Sequence, residues 1–102
     1  MKITRIQYTV QPAFAEQNKR NIARVMQELR SLNHPEIRYS SYLFDDGKTF
    51  MHFVLLKNEE AEKVIRNLEA FKTFQAELKA SNPEKPPQFE NLALVDSSFE
   101  LF

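Results

Sequence analysis

Four strand-like runs and two amphipathic helical stretches, in the order β-α-β-β-α-β, predict an α+β sandwich with one four-stranded antiparallel sheet and both helices on one face. Two observations carry this. Apolar residues switch between period two and the i, i+3, i+4 spacing of a helix along the chain. The single Gly and the five Pro fall at the junctions between these stretches.

The first strand is expected over Lys2 to Val10, where Ile6, Tyr8 and Val10 alternate with polar residues. Pro12 suits the first turn of a helix, because the N–H it lacks would be unpaired there in any case. Ile22, Val25, Met26, Leu29 and Leu32 then form one apolar stripe, which Asn33-His34-Pro35 ends. Glu36 to Phe44 and Thr49 to Lys57 read as two strands joined at Asp45-Asp46-Gly47-Lys48, a hairpin signal because Gly tolerates the positive φ of the turn. Asn58 reads as the N-cap of a second helix, with Glu59 and Glu60 placed favourably at its positive end. Ala61, Val64, Ile65, Leu68, Phe71, Phe74 and Leu78 are read as its single apolar stripe, with Glu59–Lys63 and Glu62–Arg66 as i, i+4 pairs, up to a stop at Ser81-Asn82-Pro83. Lys85-Pro86-Pro87 reads as a stiff connector and Asn91 to Leu101 as the last strand. With right-handed crossovers the whole is a ferredoxin-like sandwich, a single domain over residues 1–102.

Composition mainly excludes classes. The chain has 102 residues, 14 Lys plus Arg against 14 Asp plus Glu, and no Cys or Trp. Zero cysteine rules out disulfides, a thiol nucleophile and thiolate metal sites. Zero net charge argues against a partner made of nucleic acid or anionic lipid. The N-terminus has no apolar leader segment, and the longest strongly apolar stretch, Phe53 to Leu56, is too short to span a bilayer. The expected location is the cytoplasm.

The third strand departs from the alternation expected of a sheet covered on one side. Phe50, His52, Val54 and Leu56 point one way, and Met51, Phe53 and Leu55 the other. Leu92 and Leu94 likewise oppose Ala93, Val95, Phe99 and Leu101. Two helices cover one face only, so the other is expected to be covered by the same face of a second copy, a two-fold homodimer. Ser97 to Phe102 would extend toward that partner.

Glu16-Gln17-Asn18, Ile37-Arg38-Tyr39, the run Asp46-Gly47-Lys48-Thr49-Phe50-Met51-His52, Phe71-Lys72-Thr73-Phe74-Gln75 and Leu94-Val95-Asp96-Ser97-Ser98 together resemble the antibiotic-biosynthesis-monooxygenase-like branch of the dimeric α+β barrel superfamily. The resemblance spans nearly the whole chain. It implies a homodimer and an apolar pocket, and some members oxidise electron-rich phenols with O₂ and no metal or flavin. Haem-degrading members use a Trp and a His on or near the second helix. This chain has no Trp, and residues 58–81 contain no His, so the resemblance implies no haem, and no other cofactor or metal is expected.

His52 is the candidate catalytic residue. A neutral imidazole on the helix-facing side of the sheet could take the proton of a bound phenol, and the alternative is a core histidine bonded to a backbone carbonyl or a Tyr hydroxyl. Asn18, which interrupts the first helical stripe, and Tyr39 are candidate substrate-binding groups. Phe14, Phe50, Phe71 and Phe74 would form an aromatic wall for a flat ligand, or plain core. Tyr39 is placed on one face of its strand and Arg38 with Tyr42 on the other. Competing classes are a dimeric ligand-binding or stress-response protein without turnover and, more remotely, an RNA-binding module. The third-strand motif of that module is echoed by Lys48-Thr49-Phe50-Met51-His52-Phe53-Val54, but His52 stands where an aromatic is expected.

Overall fold

The computed structural model describes residues 1–102. Its strands are β1 (Lys2–Thr9), β2 (Ile37–Leu43), β3 (Thr49–Leu56) and β4 (Lys85–Leu92). Its helices are α1 (Ala15–Leu32), α2 (Glu59–Arg66) and α3 (Glu69–Ala80), with a 3₁₀ turn at Pro12–Phe14 ahead of α1. The strands form one antiparallel sheet in the order β2-β3-β1-β4. This is the expected sandwich, with one helix divided in two.

Several local expectations are corrected. The stretch after Asn58 is two helices, because a continuous one could not bury both of its apolar rows. Ala61 and Ile65 of α2 and Ala70 and Phe74 of α3 are all buried. Members of these two pairs stand nine residues apart, which at about 100° per residue puts them on opposite sides of one helix. The chain breaks at Asn67 and restarts at Leu68, whose backbone is extended.

The last strand is Lys85–Leu92 rather than 91–101, and Lys85-Pro86-Pro87 lies within it. β4 is an edge strand, where proline's missing N–H need face no neighbour. Between its pairings with Gln7 and Thr9, β4 holds one residue more than β1, a bulge at the two prolines. Residues 93–102 therefore lie beyond the sheet, and Leu94, Val95 and Phe99 are exposed. The end of this tail folds back on its own chain, where the Arg38 guanidinium lies 5.5 Å from the centre of the Phe102 ring.

In α1 the buried residues are Ala15, Asn18, Asn21 and Val25, whereas Leu32 at its end is exposed. Of the two expected ion pairs on α2, Glu62–Arg66 forms, and Lys63 is nearest Glu60 instead of Glu59. The hairpin turn matches its sequence: Gly47 has φ +74°, and the Asp46 carboxylate accepts the backbone N–H groups of Lys48 and Thr49 at 3.0 and 2.8 Å.

β3 has the two-sided character read from its sequence. Phe50, His52, Val54 and Leu56 are buried under the helices, while Met51, Phe53 and Leu55 are half-buried on the opposite face. Register adds Ile3, Tyr42 and Leu92 to that opposite face, and also the polar residues Arg5, Gln7, Arg38, Ser40, Gln88 and Glu90. Arg5 bonds both Gln7 and Glu90 there. The uncovered face is thus apolar over β3 and polar over β1 and β4.

The helix-covered core has two parts. Ile37, Val54, Leu56, Ala61 and Ile65 fill one end with aliphatic side chains. Tyr8, Val10, Ala15, Val25, Phe50, Ala70, Phe74 and Leu78 fill the other, and that end contains the polar side chains considered next.

Candidate functional site

Antiparallel pairing of β1 with β3 sets Ile6 opposite His52 and Tyr8 opposite Phe50, all directed at the helices. β2 adds Ser41 opposite His52 and Tyr39 opposite Val54, so Tyr39 is a diagonal neighbour of the imidazole on the same face. From the other side, α1 brings Asn18 and α3 brings Phe74. The result is a linear hydrogen-bonded chain. Asn18 Nδ2 donates to the Tyr8 hydroxyl at 2.9 Å, that hydroxyl lies 2.7 Å from His52 Nε2, and His52 Nδ1 lies 2.8 Å from the Tyr39 hydroxyl.

The rings enclose the imidazole as well as bonding it. Tyr8 stacks on His52 at 5.3 Å between centres, Phe74 lies tilted at 5.5 Å, and Tyr39 meets it edge-on at 5.6 Å. His52 is 1% exposed. Burial penalises its charged form and lowers its pKa from 6.5 to about 4, so the imidazole is neutral at pH 7. Burial raises the pKa of Tyr8, which the Asn18 hydrogen bond partly offsets, and raises that of Tyr39, with a further contribution from Tyr8. Every member of the chain is uncharged at neutral pH.

Tyr8, His52 and Tyr39 of this chain form the floor of a cavity of about 330 Å³ between the sheet, α3 and the start of β4. Ile6, Tyr8, Tyr39, His52, Phe71, Phe74 and Leu78 form its inner wall; Pro83, Pro86, Pro87 and Phe89 form the β4 side. Gln75 and Lys79, both exposed, stand on the α3 side, and Lys79 is the only ionisable side chain of the lining besides His52 and the two tyrosines. The bulge and its two prolines therefore shape one wall of the cavity. A broader depression of about 670 Å³ lies between α1 and the start of α3, but seven of its ten lining residues are not hydrophobic, and Asn21, Arg24 and Glu28 border it. For a flat aromatic molecule the smaller cavity is the better match, since apolar walls with a few convergent polar groups are what such ligands require.

Of the residues singled out from sequence, Tyr39, His52, Phe71 and Phe74 line this cavity. Asn18, Phe14 and Phe50 do not. Asn18 is fully buried behind Tyr8, Phe50 stacks on Tyr8 at 5.6 Å within the core, and Phe14 packs against that core from the turn before α1. Both nitrogens of His52 are taken by tyrosine hydroxyls, so neither is free to receive a ligand's proton directly. Sequence reasoning placed Tyr8 in the first strand and missed its part in the site. The one available signal was its shared face with Ile6 and the β1–β3 register, which sets it diagonally across from His52. No three His, Cys, Asp or Glu side chains converge in a metal-binding group.

No protein-family model matches this sequence, and no curated protein does. Its fold has clear counterparts among solved structures. A candidate antibiotic biosynthesis monooxygenase from Nitrosomonas europaea superposes with a TM-score of 0.78 at 15% identity, over 94% of this chain and 100% of the other. Another, from Caulobacter crescentus, gives 0.73 at 18% identity over 93% and 90%. A mutant of SnoaB, a cofactor-independent oxygenase from Streptomyces nogalater, gives 0.67 at 14% identity over 97% and 98%. At such identities the likeness is one of fold. This chain has the ferredoxin-like α+β fold of the antibiotic-biosynthesis-monooxygenase-like structures.

Proposed function

We propose that the cavity over His52 binds a small aromatic molecule of phenol or quinol type and that the protein oxygenates it with O₂, without metal or flavin. The observation that carries this reading is the neutral Asn18–Tyr8–His52–Tyr39 chain, whose last three members line the floor of a largely apolar cavity of about 330 Å³. The fold shared with a cofactor-independent oxygenase supports it. For a phenol the balance is simple. The carbon para to the hydroxyl gains one atom of O₂ as a carbonyl oxygen, two hydrogens leave with the other atom as water, and O₂ takes all four electrons.

His52 orients the two tyrosines in this reading instead of acting as the base. With a pKa near 4 and both nitrogens occupied, it is a poor acceptor for a phenol proton. Phe71 and Phe74 supply the flat wall and Tyr39 the polar contact. The same low basicity favours the second reading, a ligand-binding protein without turnover. Both readings include a cytoplasmic homodimer paired through Met51, Phe53, Leu55 and Tyr42 on the uncovered sheet face. No helix is long and apolar enough to cross a membrane.

A test uses 1-naphthol with ¹⁸O₂. The oxygenase reading expects 1,4-naphthoquinone carrying one labelled oxygen, with one O₂ consumed per product. Saturable binding of 1-naphthol without O₂ uptake would support the second reading in its place.

A further inference from the structure

We propose that Asn18 sets the direction of the whole hydrogen-bonded chain, so that Tyr39 offers its phenolic proton to the cavity and the ligand is held by an accepting oxygen, a quinone carbonyl or a phenolate. This deepens the reading above and rests on the cavity being the ligand site.

The argument is an accounting of protons. Asn18 Nδ2 donates to the Tyr8 oxygen at 2.9 Å, so the Tyr8 proton must go elsewhere. Its other neighbour is His52 Nε2 at 2.7 Å, and Tyr8 is 2% exposed. If Nε2 carried a proton, Tyr8 would receive two N–H donors and its own buried proton would have no acceptor. Nε2 is therefore the bare nitrogen, and neutral imidazole then carries its proton on Nδ1. Nδ1–H donates to the Tyr39 oxygen at 2.8 Å. Tyr39 makes no other hydrogen bond and borders the cavity, so its proton is the free end of the chain.

The reverse wiring requires the Asn18 amide to be turned over. Its oxygen would accept from Tyr8, His52 would carry Nε2–H, and Tyr39 would donate to Nδ1 and accept from a ligand. In the structure the Asn18 oxygen is buried without a partner. One of its two amide N–H groups is also unpaired there, and turning the amide over would pair the oxygen but leave both N–H groups without an acceptor. Proteins leave carbonyl oxygens unpaired more readily than N–H groups, which favours the observed orientation.

The consequence for ligand choice is specific. A chain wired to donate offers a phenol no acceptor at Tyr39, so a phenol bound there has its proton paired elsewhere or lost to solvent. The anion formed, or a quinone carbonyl, accepts from Tyr39, and Lys79 on the α3 side is the nearby positive charge.

The first test needs no ligand. The ¹⁵N shifts of His52 at pH 7 in the intact protein should report a protonated Nδ1 and a bare Nε2. The opposite tautomer would overturn the proposal. In Asn18→Leu the two shifts should move toward each other as the second tautomer becomes populated, and unchanged shifts in a folded variant would remove Asn18 from the positioning role. For the ligand, 1,4-naphthoquinone, which only accepts hydrogen bonds, should bind about fivefold to tenfold more tightly than naphthalene, and Tyr39→Phe should abolish the difference. Equal binding of the two by the natural protein would overturn the ligand assignment. Failure of both to bind would count against the cavity as a ligand site, and the tautomer result would still decide the wiring.

Discussion

The two ends of the same core solve the same packing problem differently. At one end β3 contributes Val54 and Leu56, which α2 seals with Ala61 and Ile65 around Ile37. Small and branched aliphatic side chains interdigitate there, and no polar side chain is enclosed. Two residues along the same strand, His52 and Phe50 meet Tyr8, Tyr39 and Phe74. Rigid rings tile less completely, and a void remains where α3 and the proline bulge of β4 diverge. The phase break at Asn67–Leu68 is what lets one segment of chain serve both ends. Polar atoms follow the void: the aromatic end holds four linked polar side chains whose free terminus faces it.

This contrast can be broken from either side. The largest expected effect is at the sealed end, where Ile65→Ala should cost roughly 2–5 kcal/mol in chemical denaturation, because the tightly packed neighbours relax little around the gap. Binding of an aromatic ligand by the fraction that remains folded should be unchanged. Loss of binding at full folding would mean that the two ends are not separate.

Acid probes the other end. The pKa of His52 is lowered on folding from 6.5 to about 4, so the unfolded chain binds more protons between those values. Stability from this group is complete above about pH 6.5 and is lost as pH falls toward 4, a change on the order of 3 kcal/mol. Denaturation midpoints measured between pH 7 and 4.5 should therefore fall, and His52→Leu should flatten that slope. Asp46 and Glu62 also have lowered pKa values, but theirs fall from 3.8 and 4.5, so their contributions are lost at lower pH.

Removing the free end of the chain should matter less to folding. Tyr39→Phe deletes one hydroxyl and should cost about 1 kcal/mol, while weakening quinone binding. Asn58→Ala should also cost about 1 kcal/mol, since Asn58 Oδ1 accepts the Ala61 N–H at 3.0 Å and caps α2. Ligand affinity should not change in that variant, because α2 covers only the aliphatic end.

What the sequence made legible was local chemistry with few alternatives. Asp46-Gly47 gave the turn, Asn58 the cap, and the unbroken apolar run of β3 its burial on one face and partial burial on the other. His52 was recognisable as a polar group set into that run, and one reading of it, a core histidine bonded to a tyrosine hydroxyl, describes its actual contacts. The helix break was present as a phase error, Ala61 and Ala70 nine residues apart, but it shows only when both rows are known to be buried. Pro86-Pro87 looked like a connector because a proline strand is acceptable only at an edge, and edge position is a property of the whole sheet. Tyr8 and the retreat of Asn18, Phe50 and Phe14 from the cavity depend on register and helix placement, which no local pattern carries.

The most direct test of the account is a chemical-shift map of the ¹⁵N- and ¹³C-labelled protein titrated with 1-naphthol. The account predicts saturable changes centred on Tyr8, Tyr39, His52, Phe71 and Phe74, with the Val54, Leu56 and Ile65 signals unmoved. Changes centred on Asn21, Arg24 and Thr73 in the depression between α1 and α3, or no saturable change, would contradict it.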